Sequence, residues 1–135
     1  MNDYIYVNFF PQVKDKNMRA SVAYEAIFVG GYVSILYYIL RAMIGNINRS
    51  LLYFILGFIK HLFGYFSGMH QYFCDSKVVD NELLLRDSII EGVIFIVISN
   101  IIVDDIAQLF IAGTVLHIIS EITGIHNWFR KNRCR

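Results

Sequence analysis

Proline occurs once, at Pro11, and cysteine twice, at Cys74 and Cys134. Two cysteines provide no disulfide framework for a small domain. Charge is scarce: Asp, Glu, Lys and Arg make up 17% of the chain, where an ordinary soluble domain carries about 25%. The 12 basic and 11 acidic residues nearly cancel, so the chain lacks the basic excess of a nucleic-acid binder. The first residues are acidic and aromatic, without the basic and apolar regions of a secretory signal; targeting is expected to come from the first apolar segment. No nucleophile elbow, P-loop, Rossmann fingerprint or HExxH motif occurs, nor any low-complexity run, so no enzyme is expected.

What is abundant is apolar. Of 135 residues, 56% are hydrophobic and 16% aromatic, and the mean hydropathy is +0.49. Disordered chains are poor in such residues. The apolar residues fall into four runs: Ala20–Ile44, Leu51–Phe66, Ser88–Val103 and Ile106–Ile122. A helix needs about 20 mostly apolar residues to cross a bilayer core. The first run meets this, and shorter spans are tolerated through bilayer thinning, snorkelling or oligomerisation. The runs Leu51–Leu56 and Ile101–Val103 leave no polar face of the kind a soluble helix shows.

The pattern predicts an all-α polytopic membrane protein with four transmembrane helices. Basic residues fix its orientation. Lys14, Lys16, Arg19, Lys77, Arg86, Arg130, Lys131, Arg133 and Arg135 share one side, against Arg41 and Arg49 on the other. Both termini are therefore expected in the cytoplasm. The Asn48-Arg49-Ser50 sequon on the far side lies too close to the membrane for use.

A shift of 56 residues aligns two segments without a gap. Phe54-Ile55-Leu56-Gly57, His61, and Ser67-Gly68-Met69-His70-Gln71-Tyr72-Phe73 match Phe110-Ile111-Ala112-Gly113, His117, and Thr123-Gly124-Ile125-His126-Asn127-Trp128-Phe129. All four histidines take part. With one gap, Arg19-Ala20-Ser21 and Glu25 parallel Arg86-Asp87-Ser88 and Glu91. The chain thus reads as two tandem, parallel-repeat helical hairpins related by a pseudo-two-fold along the membrane normal. Its divisions are a cytoplasmic tail (1–19), a first hairpin (20–73), a linker (74–85), a second hairpin (86–129) and a basic tail (130–135).

Intramembrane ionisable residues are functional candidates. Glu25, Glu91, His61 and His117 are expected at similar depth, with Lys60 beside His61, and Glu121 one turn after His117. They read either as contacts holding the hairpins together or as a proton or cation path. A haem between His61 and His117 is a further reading. His70, Cys74, His126 and Cys134 have the composition of a Cys2His2 zinc set. Tyr72, Phe73, Trp128 and Phe129, followed by Arg130 and Lys131, read as interface anchors, with the basic tail on anionic headgroups. Gly68 and Gly124 suit left-handed helix caps. Ser99 and Asn100 read as interhelical hydrogen-bonding groups.

The segment Ile111-Ala112-Gly113-Thr114-Val115-Leu116-His117, followed by Glu121, Thr123-Gly124-Ile125 and Asn127-Trp128-Phe129, resembles the C-terminal signature of small multi-spanning membrane proteins encoded by large double-stranded DNA viruses. The resemblance covers the last quarter of the chain. It departs at Arg130, where those proteins tend to carry a cysteine; here Cys134 lies further on. It implies a protein of the inner virion membrane or of virus-modified host endomembrane, and it brings no catalytic residue. The expected role is structural or assembly, in a lipid bilayer, through self-association or with another membrane or capsid protein. The alternatives are a proton or cation channel and a zinc- or haem-binding membrane protein.

Overall fold

A computed structural model describes residues 18–67 and 81–125, together with Trp128 and Asn132. Four α-helices carry the described chain: α1 (Met18–Ile44), α2 (Arg49–Phe66), α3 (Asn81–Ser99) and α4 (Ile106–Ile122). No strand occurs among the described residues. The all-α, four-helix expectation holds.

The ends of α2 and α4 follow from local chemistry. Asn48 caps α2, its side chain accepting from the Ser50 and Leu51 backbone N–H groups at 2.9 and 3.4 Å. Asp105 does the same for α4, accepting from Ala107 and Gln108 at 3.1 and 3.4 Å. Each cap satisfies donors that the first helical turn leaves without an intrahelical partner. At the other end of α4, Gly124 turns to φ +76°, a left-handed conformation that glycine adopts without a Cβ clash. This is the stop expected of Gly124; its counterpart Gly68 lies outside the described residues.

The third helix differs from its apolar run, Ser88–Val103. It begins seven residues earlier, at Asn81, and ends at Ser99. The Ser99 hydroxyl and the Asn100 amide both donate back to the Ile96 carbonyl, at 2.7 and 2.8 Å. These bonds lie within the helix end, where interhelical bonds were expected. Asn100–Asp105 then forms the turn, longer than the two residues that separate the apolar runs Ser88–Val103 and Ile106–Ile122.

Helix α1 packs mainly on α4, and α2 mainly on α3; α1 and α2 touch less extensively. Each major pair is antiparallel. Glu25, Gly30 and Ser34 of α1 meet His117, Gly113 and Ile106 of α4 in turn. Adjacency in sequence suggests hairpin partners α1 with α2 and α3 with α4. The main contacts instead join each helix to one from the other repeat.

Glycine decides this choice. A Cβ on Gly57 would sit 2.6 Å from the Glu91 carbonyl oxygen and 2.9 Å from the Gly92 Cα. A Cβ on Gly113 would sit 3.0 Å from the Gly30 Cα and 3.3 Å from the Val29 carbonyl oxygen. Gly92 lies against Phe54, and Gly30 against Phe110 and Thr114. Small residues let helix backbones approach closely, and here the same arrangement occurs twice. This packing register matches Gly30 with Gly92, and hence Val29 with Glu91. The sequence alignment had set Glu25 against Glu91, one helical turn away.

A core of Val33, Leu36, Tyr37, Leu40, Leu52, Tyr53, Leu56, Phe95 and Leu109 fills the half of the bundle nearer the short turns. Across α1 and α2, the Tyr37 and Tyr53 rings lie 5.6 Å apart. The opposite half holds Glu25, Lys60, His61, Glu91 and His117.

Candidate functional site: paired carboxylates between the helices

Helix α2 places Lys60 and His61 one turn beyond Gly57, against Glu91 of α3. One Glu91 carboxylate oxygen pairs with the Lys60 ammonium. The other lies 2.8 Å from His61 Nδ1. Lys60 Nζ also sits 5.7 Å from the centre of the Phe95 ring, a cation–π distance. From α1, the Tyr32 hydroxyl donates to the Lys60 carbonyl at 3.3 Å. All three ionisable side chains are about four-fifths buried.

Helix α4 places His117 one turn beyond Gly113, with its Nε2 3.4 Å from Glu25 Oε2. His117 is buried, at 7% exposure. Glu121 follows one turn on, half-buried. The six predicted polar residues therefore separate into two groups. Glu91, Lys60 and His61 lie between α2 and α3, while Glu25 and His117 lie between α1 and α4, with Glu121 one turn on along α4. Leu116 occupies the repeat position of Lys60, so the groups are alike in Glu and His and unlike in lysine.

The histidines that could have faced one another across a haem are each engaged with a carboxylate of a different helix. The described residues contain no group of three or more His, Cys, Asp or Glu suited to a metal ion. His70, Cys74, His126 and Cys134 lie outside the described residues, as do Tyr72, Phe73, Phe129, Arg130 and Lys131. Trp128 is described and exposed.

A second polar cluster, at the turn end, escaped the sequence reading. Arg49 Nε donates to Asp104 Oδ1 at 2.9 Å, and its guanidinium also reaches the Ile102 carbonyl. The buried Tyr53 hydroxyl donates to the same Asp104 oxygen at 2.8 Å, and the Arg49 guanidinium lies over the Tyr53 ring. The cluster ties the start of α2 to the α3–α4 turn. Its signal was the opposite charge of Arg49 and Asp104 on turns at the same end of the bundle.

Burial pushes the Asp104 carboxyl up, but hydrogen bonds from Tyr53, Tyr37 and Arg49, with the Arg49 charge, outweigh it and hold the group below its ordinary value. A carboxylate depressed by folding stabilises above its unfolded value, about pH 4, and loses that contribution as pH falls through the folded value. Acidification below about pH 4 should therefore loosen this end, and Asp104→Asn should remove that part of the acid dependence. Thermal unfolding across pH 3–7 checks it. Tyr53→Phe should cost about 1 kcal/mol, the worth of one hydrogen bond, in the same measurement at neutral pH.

The chain matches no protein-family model, no curated protein and no solved structure. The reading of its function rests on the residues themselves.

Proposed function

We propose that the protein is a non-enzymatic integral membrane protein with a structural or assembly role, embedded through all four helices. The observation that carries this is the outward surface. Large apolar side chains stand exposed on every helix, among them Ile35 and Met43 on α1, Phe63 on α2, Val93 and Val97 on α3, and Ile111 on α4. A soluble bundle buries its apolar stripe and turns a polar face outward. One described helix, over Val22–Ile44, is by itself long and apolar enough to cross a membrane, and α4 is apolar but shorter.

Helix α2 carries Arg49 and Lys60, and α3 carries Glu82, Arg86 and Asp87 in its first turns and Glu91 further in; the two charges within the apolar stretches, Lys60 and Glu91, neutralise each other between the helices. Pairing them inside leaves lipid-compatible side chains outside, as intramembrane charges require. An even number of spans puts both termini on one side, and the basic residues favour the cytoplasmic one. The viral resemblance favours a virion or virus-modified membrane.

Alkaline carbonate extraction should leave the full chain in the membrane; release into the soluble fraction overturns the reading. Crosslinking in that membrane should then capture a second copy or another membrane or capsid protein. Recovery of monomer alone counts against assembly.

The separation of the carboxylates into two helix pairs supports a packing role over a proton or cation path. Reconstituted protein should give liposomes no pH-dependent proton flux above protein-free vesicles. Flux that falls in the His61→Ala, His117→Ala double variant would favour the channel.

A further inference from the structure

The sequence repeat groups α1 with α2 and α3 with α4, yet the side chains that hold the bundle act across that division. Gly57 of α2 meets Glu91 and Gly92 of α3, and Gly113 of α4 meets Val29 and Gly30 of α1. Lys60 and His61 face Glu91, and His117 faces Glu25. The Ser34 hydroxyl reaches the Ile106 carbonyl at 3.4 Å, and Arg49 and Tyr53 converge on Asp104. Each of these contacts links a residue of the first hairpin to a residue of the second. Within the first hairpin, α1 and α2 share the Tyr37–Tyr53 ring contact and the Tyr32–Lys60 hydrogen bond. In the second, α3 and α4 touch less than α1 and α2 do. Residues 67–80 join the two hairpins, since α2 ends at Phe66 and α3 begins at Asn81. Connections between helices in bundles take about 2–8 residues. This one has fourteen, with a contour of about 45 Å at about 3.3 Å per residue, against about 10–12 Å for the width of a helix.

We propose that two copies of the chain assemble by exchanging hairpins: α1 and α2 of each copy pack on α3 and α4 of the other, closing two complete four-helix units. This rests on the assembly reading above and names its partner, a second copy, and its interface, the two glycine seams. Every glycine crossing and the Lys60–Glu91 pair are re-made with the identical residue of the other copy, so exchange gives up no seam contact. Such exchange is a low-cost route to a dimer, and because it is reciprocal it closes at two copies. The unexchanged chain is favoured by the effective concentration its linker confers, an advantage that falls as a linker lengthens beyond the span it must bridge. Charge selects which hairpins pair. In the packing register of the two seams, Val29 of the first hairpin matches Glu91 of the second. Two first hairpins packed on each other would set Lys60 against Val29, and a buried charge without its partner is strongly unfavourable. Pairing a first hairpin with a second gives Lys60 its carboxylate.

The test co-expresses two copies of the full chain that carry different affinity tags, each with Cys74→Ser and Cys134→Ser. The copies are purified on both tags in succession and placed in nanodiscs. One copy bears a spin label at Phe63→Cys and the other at Ile89→Cys, exposed positions on α2 and α3. A second sample uses Ile27→Cys and Ile119→Cys, exposed on α1 and α4. The reference for each seam is a chain labelled at both of its positions, in which the seam distance is present with or without exchange. Exchange should bring the reference distance into both mixed samples, although neither copy carries both labels. A pair that survives both purifications but lacks the reference distance at either seam overturns the exchange and leaves assembly through another surface standing. Recovery of no pair overturns the exchange together with self-association.

Discussion

Gly57→Ala should destabilise the folded protein by about 2–3 kcal/mol, the upper part of the range for forcing an added group into a packed interior. The new methyl would meet the Glu91 carbonyl oxygen at 2.6 Å, its carbon at 2.9 Å and the Gly92 Cα at 2.9 Å. These are backbone atoms, so no side chain can rotate away; α2 and α3 must separate along the seam. Alanine's better helix propensity offsets at most about 1 kcal/mol of this. Gly31→Ala is the matched control. Nothing lies within 4 Å of a Cβ there, so the same replacement should be neutral or stabilise by up to about 1 kcal/mol. Thermal or denaturant unfolding in one detergent decides between them. Equal effects at the two positions would mean that the close approach of α2 to α3 is not what holds the bundle.

Lys60→Met should cost about 3 kcal/mol. Removing one member of a buried ion pair leaves the other charge without compensation, and such losses run to about 3–5 kcal/mol. The lower end applies because the two side chains keep about a fifth of their surface exposed. The remaining Glu91 carboxylate keeps His61 Nδ1 at 2.8 Å. The double variant Lys60→Met with Glu91→Gln should lose less than the two single losses added together. Additive losses in that double-mutant cycle would show that Lys60 and Glu91 stabilise the bundle separately.

Much of the helical outline was legible because its determinants are local. The run Ile106–Ile122 coincides with α4, since Asp105 caps its start and Thr123-Gly124 its end within a few residues of sequence. Helix α3 was misplaced for a reason of the same kind. Its first turns carry Glu82, Arg86 and Asp87, which a search for apolar residues passes over although such residues sit well in a helix. Its end is set by Ser99 and Asn100 bonding back to Ile96, inside a run that stays apolar to Val103. Glu25, Lys60, His61, Glu91, His117 and Glu121 were found because ionisable residues stand out in apolar runs. Their division into two groups was not visible, because it depends on which helices meet.

By itself, the sequence determined the all-α class, the four helical segments and a repeat that places the glycine and histidine of α2 and α4 in one register. Helical hydrogen bonds and caps act over a few residues, so a linear reading reaches them. The tertiary structure alone decided that α1 joins α4 and α2 joins α3, that Glu91 receives a lysine while Glu25 faces a histidine, and that Arg49 and Tyr53 converge on Asp104. Those outcomes depend on backbones approaching where glycines from distant parts of the chain coincide. The helical turn between the Glu25 and Glu91 positions is set by that close approach, which no local pattern encodes.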